Sequence, residues 1–173
     1  PLNRTRLDIS SKMSFRLLHS LRATHAGVLV GINTVLCDQP RLNVRTPLPK
    51  VAVPATQPHS LIIDTDLRIL EVAPDKLLLQ RPIVFTCVDE DEDDEGTEKE
   101  NIPMEIETLN GEGTVNTNKK FAREGRWSRA KSRLELVGGK LIRVAKDNSG
   151  HCDLGECLRI CKSSLGIDSV LVE

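Results

Sequence analysis

Five side chains between residues 22 and 45 could do chemistry together. Arg22, Arg41 and Arg45 carry guanidinium groups, which can hold a phosphate through two parallel hydrogen bonds. Thr34 and Asp38 lie four residues apart, so one helical turn would aim both in the same direction as a small hydrogen-bonding pair. They follow the apolar run VLVG at 28–31, and glycine at the end of a strand leaves room for a ligand or another backbone. In open α/β sheets ligands bind beyond the carboxyl ends of strands. The bare residues therefore suggest a site for a phosphorylated or nucleotide-like molecule. A solvated loop with an Asp–Arg pair would use the same residue types.

The elements that must position these groups are readable around them. Residues 10–25 predict a helix, with Met13, Leu17 and Leu21 every fourth residue and Leu18 widening the stripe. Arg22 falls in its last turn, and His19 and His25 read as helix-surface or helix-end residues. GVLVG at 27–31 predicts a short buried strand, followed by strands near 60–64, 82–87, 140–145 and 168–173. LGECLRICKSSLG predicts a helix over 154–166 with Leu154, Leu158, Cys161 and Leu165 on one face, and Gly166 as its stop. Gly138–Gly139 lack the spacing and the following helix of a dinucleotide loop, so they predict a turn. Strand, helix and loop alternate, which predicts an α/β domain with a largely parallel sheet.

The stretch 88–130 breaks the pattern. Residues 89–95 are seven consecutive acids, and 119–133 carry seven Lys or Arg against one Glu. Like charges with little apolar content do not offset the entropy of ordering, so an unstructured insertion is expected there, with Trp127 tacking its end to the body. Its basic part raises nucleic-acid binding as an alternative, which the neighbouring acidic block opposes. The expected organisation is one domain, 1–173, carrying this insertion.

Composition narrows the classes further. Aromatics are 2% of the 173 residues, too few for a base-stacking platform, and a net charge of −1 gives no field to recruit nucleic acid or an anionic membrane. No apolar run approaches a membrane span and the amino-terminal residues lack a signal core, so an intracellular, cytoplasmic protein is expected. Cys152, Cys157 and Cys161 cluster with His151, but without a CxxC clamp they read as reduced, partly buried thiols, and no metal is expected.

The succession LRATHAGVLVGINTVLCDQPRLNVR at 21–45, LIIDTDLRI at 61–69 and GIDSVLVE at 166–173 resembles the reductase domain of the bifunctional deaminase–reductase of riboflavin biosynthesis and its stand-alone relatives. The resemblance covers about two-thirds of the chain. It implies a dihydrofolate-reductase-like, mostly parallel sheet flanked by helices. It also implies NADPH-dependent reduction of the ribosyl group of a 5-phosphoribosylamino-pyrimidine to ribityl, as in 5-amino-6-(5-phosphoribosylamino)uracil reductase, and it admits a homodimer. By this resemblance Thr34 and Asp38 contact the cofactor NADPH, while Arg22, Leu42, Arg45 and Glu173 contact the substrate, with both arginines near its phosphate. No catalytic acid or base is assigned.

Departures from the family accompany the likeness. Asp38-Gln39-Pro40 stands where the family has Asp-Asp-Pro, the family's first strand has no counterpart before the helix, and its glycine pair does not follow Glu173. The resemblance therefore also implies a domain truncated at both ends. The alternative function is an inactive relative that binds a nucleotide or a partner.

Overall fold

The computed structural model describes residues 11–54, 56–72, 81–90 and 125–173. Most of the expected insertion, 91–124, lies outside the described residues.

The first helix, α1, runs Lys12–Ala23 and is capped by Ser11, whose hydroxyl accepts from the Ser14 N–H. It leads into strand β1, Gly27–Gly31, and directly into helix α2, Ile32–Asp38. Strand β2 is His59–Ile63, a single 3-10 turn covers Arg68–Glu71, and strand β3 is Ile83–Thr86. Helix α3, Arg126–Glu135, strand β4, Lys140–Arg143, helix α4, Leu154–Leu165, and strand β5, Val170–Val172, complete the order among the described residues. The five strands form one sheet in the order β4-β3-β2-β1-β5, every neighbouring pair parallel. The expected parallel α/β architecture is therefore present.

Alternation along each strand divides the core between the sheet's two faces. Val28, Val30, Ile62 and Val84 pack with Val35 of α2, Leu42, and Trp127, Ala130 and Leu134 of α3. Leu29, Leu61, Ile83 and Phe85 pack on the other side with Cys157 and Cys161 of α4. Gly139 lets the chain turn into β4, because a Cβ there would lie 2.6 Å from the Pro82 carbonyl oxygen.

Three expectations need correction. The basic end of the presumed insertion is helix α3 from residue 126, so the insertion ends before 130. Trp127, Ala130 and Leu134 bury one stripe while Arg126, Arg129 and Lys131 are exposed and Arg133 is half-buried, and Arg126 and Arg133 donate to the carbonyls of Asp66 and Leu70. On α4 the buried stripe is Cys157 and Cys161 with Ile160 and Leu165 beside it, whereas Leu154 and Leu158 are exposed. On α1 the apolar stripe faces outward: Met13 is 62% exposed and Leu17 50%, while His19, Ser20 and Arg22 are buried.

Candidate active site

The inverted burial of α1 follows from what its polar face holds. Segment 43–48 crosses that face without regular secondary structure, and buried backbone groups must find partners elsewhere. Arg16 Nε donates to the Pro47 carbonyl, at 3.3 Å. The Arg45 N–H donates to His19 Nδ1 at 3.2 Å, and the Leu48 N–H to Ser20 Oγ at 2.8 Å. Arg22 Nη1 donates to the Asn43 carbonyl at 3.2 Å. Helical spacing makes this arrangement possible, because positions 16, 19 and 20 share a face and 22 lies one turn beyond 19.

Arg22 has a second partner from the far end of the chain. Its Nε donates to Glu173 Oε1 at 2.8 Å and its Nη2 to Oε2 at 2.6 Å, a parallel two-bond pair. The side chains are 9% and 16% exposed. Strand β5 delivers the carboxylate: Leu29 pairs with Val172, and the Glu173 N–H donates to the Leu29 carbonyl. The planar guanidinium thus joins the end of β5 to segment 43–48. The side-chain oxygen of Asn43 is buried without a hydrogen-bond partner among the described residues. Asn43 also lines a cavity of about 340 Å³ with Leu42, Gln57, His59 and Ser60, where Arg41 and Arg81 add positive charge.

His19 lies at the centre of this charge cluster. Burial, then the charges of Arg22 and Arg45, hold its pKa below the usual 6.5, while the Asn43 carbonyl and Glu173 pull the other way. The ring is therefore neutral at neutral pH, and Nδ1 is available as an acceptor.

The other expected site residues stand apart from this pair. Thr34, half-buried, and Asp38, exposed, are on α2 just beyond β1, one turn from each other. Neither side chain shares a hydrogen bond or ion pair with Arg22, Arg45 or Glu173 among the described residues. Gly31 has open space beside it, since a Cβ there would meet nothing within 4 Å. Gln39, in place of the family's second carboxylate, is the left-handed cap of α2 with φ 46°. Leu42 is 1% exposed and packs in the core, while Arg45 is exposed and tied in through its backbone. His19, Ser20, Arg16 and Asn43 were not among the expected site residues. The available signal was the three-residue step from Arg22 back to His19, which puts both on one helix face.

At the carboxyl end of β2, whose Ile63 pairs with Gly31 of β1, Asp64 is fully buried and accepts from the Arg68 and Ile69 N–H groups at 2.8 and 2.7 Å. Desolvation raises its pKa and those two bonds oppose the rise. It caps the 3-10 turn. Arg68 itself pairs with Glu71 and donates to Asn33 of α2. Among the described residues no group of three or more His, Cys, Asp or Glu side chains is placed to hold a metal. No described helix is long and apolar enough to cross a membrane.

Residues 2–173 match the family model of the RibD C-terminal domain. The structure is similar to that of the riboflavin biosynthesis reductase Rib7 of Saccharomyces cerevisiae, with a TM-score of 0.51 and 20% identity over 94% of this chain and 53% of that one. It is also similar to Acinetobacter baumannii RibD, with a TM-score of 0.51 and 18% identity over 95% of this chain and 33% of that one. At such identities the likeness is one of fold. The chain thus spans about half the length of the yeast protein and a third of the bacterial one. No curated protein matches it by sequence.

Proposed function

The chain belongs to the RibD C-terminal domain family, and from that membership we propose that it is a reductase of riboflavin biosynthesis, reducing the ribosyl group of a 5-phosphoribosylamino-pyrimidine to ribityl with NADPH. The observation that carries this reading is the Arg22–Glu173 pair tied to the Asn43 carbonyl. It is a rigid, charged, largely buried constellation beside a cavity, built from three parts of the chain distant in sequence. The substrate assigned to it is 5-amino-6-(5-phosphoribosylamino)uracil.

The residues present fit such a pair of ligands. Thr34 offers a hydroxyl and Asp38 a carboxylate at the open end of β1, a donor–acceptor set suited to the sugar and amide groups of a dinucleotide. NADPH, when bound, supplies the hydride. The protein's part is to hold the sugar in line with it. Arg45 is exposed and can turn its fork toward the substrate phosphate. Arg22 is already engaged by Glu173, so it acts by fixing that carboxylate and the 43–48 backbone, leaving Glu173 to accept from sugar hydroxyls. In the net reaction the C1′ carbon gains the hydride, its bond to the ring oxygen breaks, and that oxygen takes a proton. Fixing the sugar in this geometry supplies orientation, a large part of the barrier reduction in such a transfer.

The test is turnover. Purified protein with NADPH and the phosphoribosylamino-uracil should lose NADPH absorbance and form one ribityl product per NADPH. The diaminopyrimidine form serves as the competing substrate. Absence of product with both, together with NADPH binding, would leave the inactive-relative reading instead. Arg45→Lys should weaken substrate binding roughly tenfold to a hundredfold through loss of a charge-assisted bond, and leave NADPH binding nearly unchanged.

A further inference from the structure

We propose that His19 is a positioning residue of the site: its neutral imidazole, through Nδ1, fixes the backbone at Arg45 and so sets the direction in which that guanidinium reaches the substrate phosphate. This rests on the reductase reading for its consequence in catalysis, though not for the contact itself.

The geometry restricts the ring to one role. Nδ1 accepts the Arg45 N–H at 3.2 Å, so a neutral ring must carry its proton on Nε2. His19 is 5% exposed, so no bulk water replaces that acceptor if it is lost. The bond lies between two others from the same helix, from Arg22 to the Asn43 carbonyl and from the Leu48 N–H to Ser20. Remove it, and the segment keeps its anchors at Asn43, Val44, Pro47 and Leu48 but loses the one at the Arg45 amide, the residue whose side chain must point correctly.

Protonation would remove it. A proton on Nδ1 faces the Arg45 N–H, donor against donor. The charged groups around the ring are Arg22 on its own helix, Arg45 on the crossing segment and Glu173 at the end of β5. Burial, with two cations against one anion that is itself bound to Arg22, disfavours a third positive charge. The latch is therefore closed at neutral pH and opens on acidification.

Two variants separate this role from simple packing. Asparagine can place its Oδ1 near the position of Nδ1 and stays an uncharged acceptor at every pH, whereas leucine fills space without accepting. In the wild type, the Arg45 amide resonance should titrate together with the His19 ring, with a midpoint below the usual 6.5. His19→Leu should lose Arg45 amide protection against hydrogen exchange by about fivefold to tenfold, the loss of one ordinary hydrogen bond. It should raise KM for the phosphorylated substrate by a similar factor and leave KM for NADPH unchanged. His19→Asn should restore both and abolish the titration. The proposal is overturned if the Arg45 amide ignores the His19 titration, or if His19→Asn behaves as His19→Leu. Should the wild type turn over no phosphoribosylamino-pyrimidine, the reductase reading fails alone, because the amide measurements decide the latch without activity.

Discussion

Breaking the Arg22–Glu173 pair should cost more than an ordinary ion pair does. Exposed pairs contribute about 0–1 kcal/mol, whereas removing one partner of a buried pair costs about 3–5 kcal/mol. Here the side chains are 9% and 16% exposed, nearer the buried limit, with enough access for water to solvate part of an orphaned carboxylate. Arg22→Met removes three donors, at 2.8, 2.6 and 3.2 Å from their acceptors. A loss of about 2–4 kcal/mol is expected, which in a chain of this size lowers Tm by roughly 5–15 °C. Glu173→Gln keeps the shape and loses the charge, so about 1–2 kcal/mol is expected. The informative quantity is the coupling in the double-mutant cycle, measured by urea unfolding at low and high salt. It should be about 2 kcal/mol and fall little with salt, since a desolvated pair is poorly screened. A coupling below about 0.5 kcal/mol that vanishes in salt would mean the pair behaves as a surface contact, and the rigid-constellation argument would fail.

Further outcomes follow from other features. Trp127→Ala should destabilise by about 3–5 kcal/mol, because the indole is 7% exposed in the core beneath α3; a loss under 1 kcal/mol in chemical denaturation would detach that helix from the fold. Stability should also depend on His19. Its folded pKa is depressed, so the unfolded chain binds more protons, and stability is fully present above the usual 6.5 and falls as pH drops from there toward the folded pKa; the same denaturation series on His19→Asn should lack this acid-side loss. Burial pushes Cys87 and Cys157 up to about 12, leaving about one thiolate in a hundred thousand at neutral pH, so iodoacetamide should modify exposed Cys37 first and reach those two only in denaturant. Rapid native labelling of Cys157, read by peptide mass, would contradict its burial.

Local pattern carried the sheet and much of the helix content. Runs such as GVLVG and PIVF are short, apolar and bounded by turn residues, and all five strands appear within about two residues of their expected positions. Faces were less legible. The Met13–Leu17–Leu21 stripe reports an amphipathic helix but not which side packs inward, because the partners of the polar side are backbone groups of 43–48, invisible to hydropathy. On α4, thiols and leucines are comparably apolar, so the stripe could be drawn along either set. On α3 the density of Lys and Arg masked the Trp127–Ala130–Leu134 spacing. Within the site, Arg22 and Glu173 were both expected at the substrate, yet their direct pairing depends on β5 lying beside β1, a neighbour relation no local pattern encodes.

That neighbour relation has a consequence for how the protein is made. Arg22 and Glu173 are separated by 151 positions, so at ordinary ribosomal speeds the arginine is synthesised roughly 8–30 s before its carboxylate. During that interval α1, β1, β2 and β3 can be present and paired while the anion that orients Arg22 is still unsynthesised. Nascent intermediates that hold most of the sheet therefore still lack a fixed guanidinium. Docking of β5 beside β1 is the step that fixes the Arg22 guanidinium.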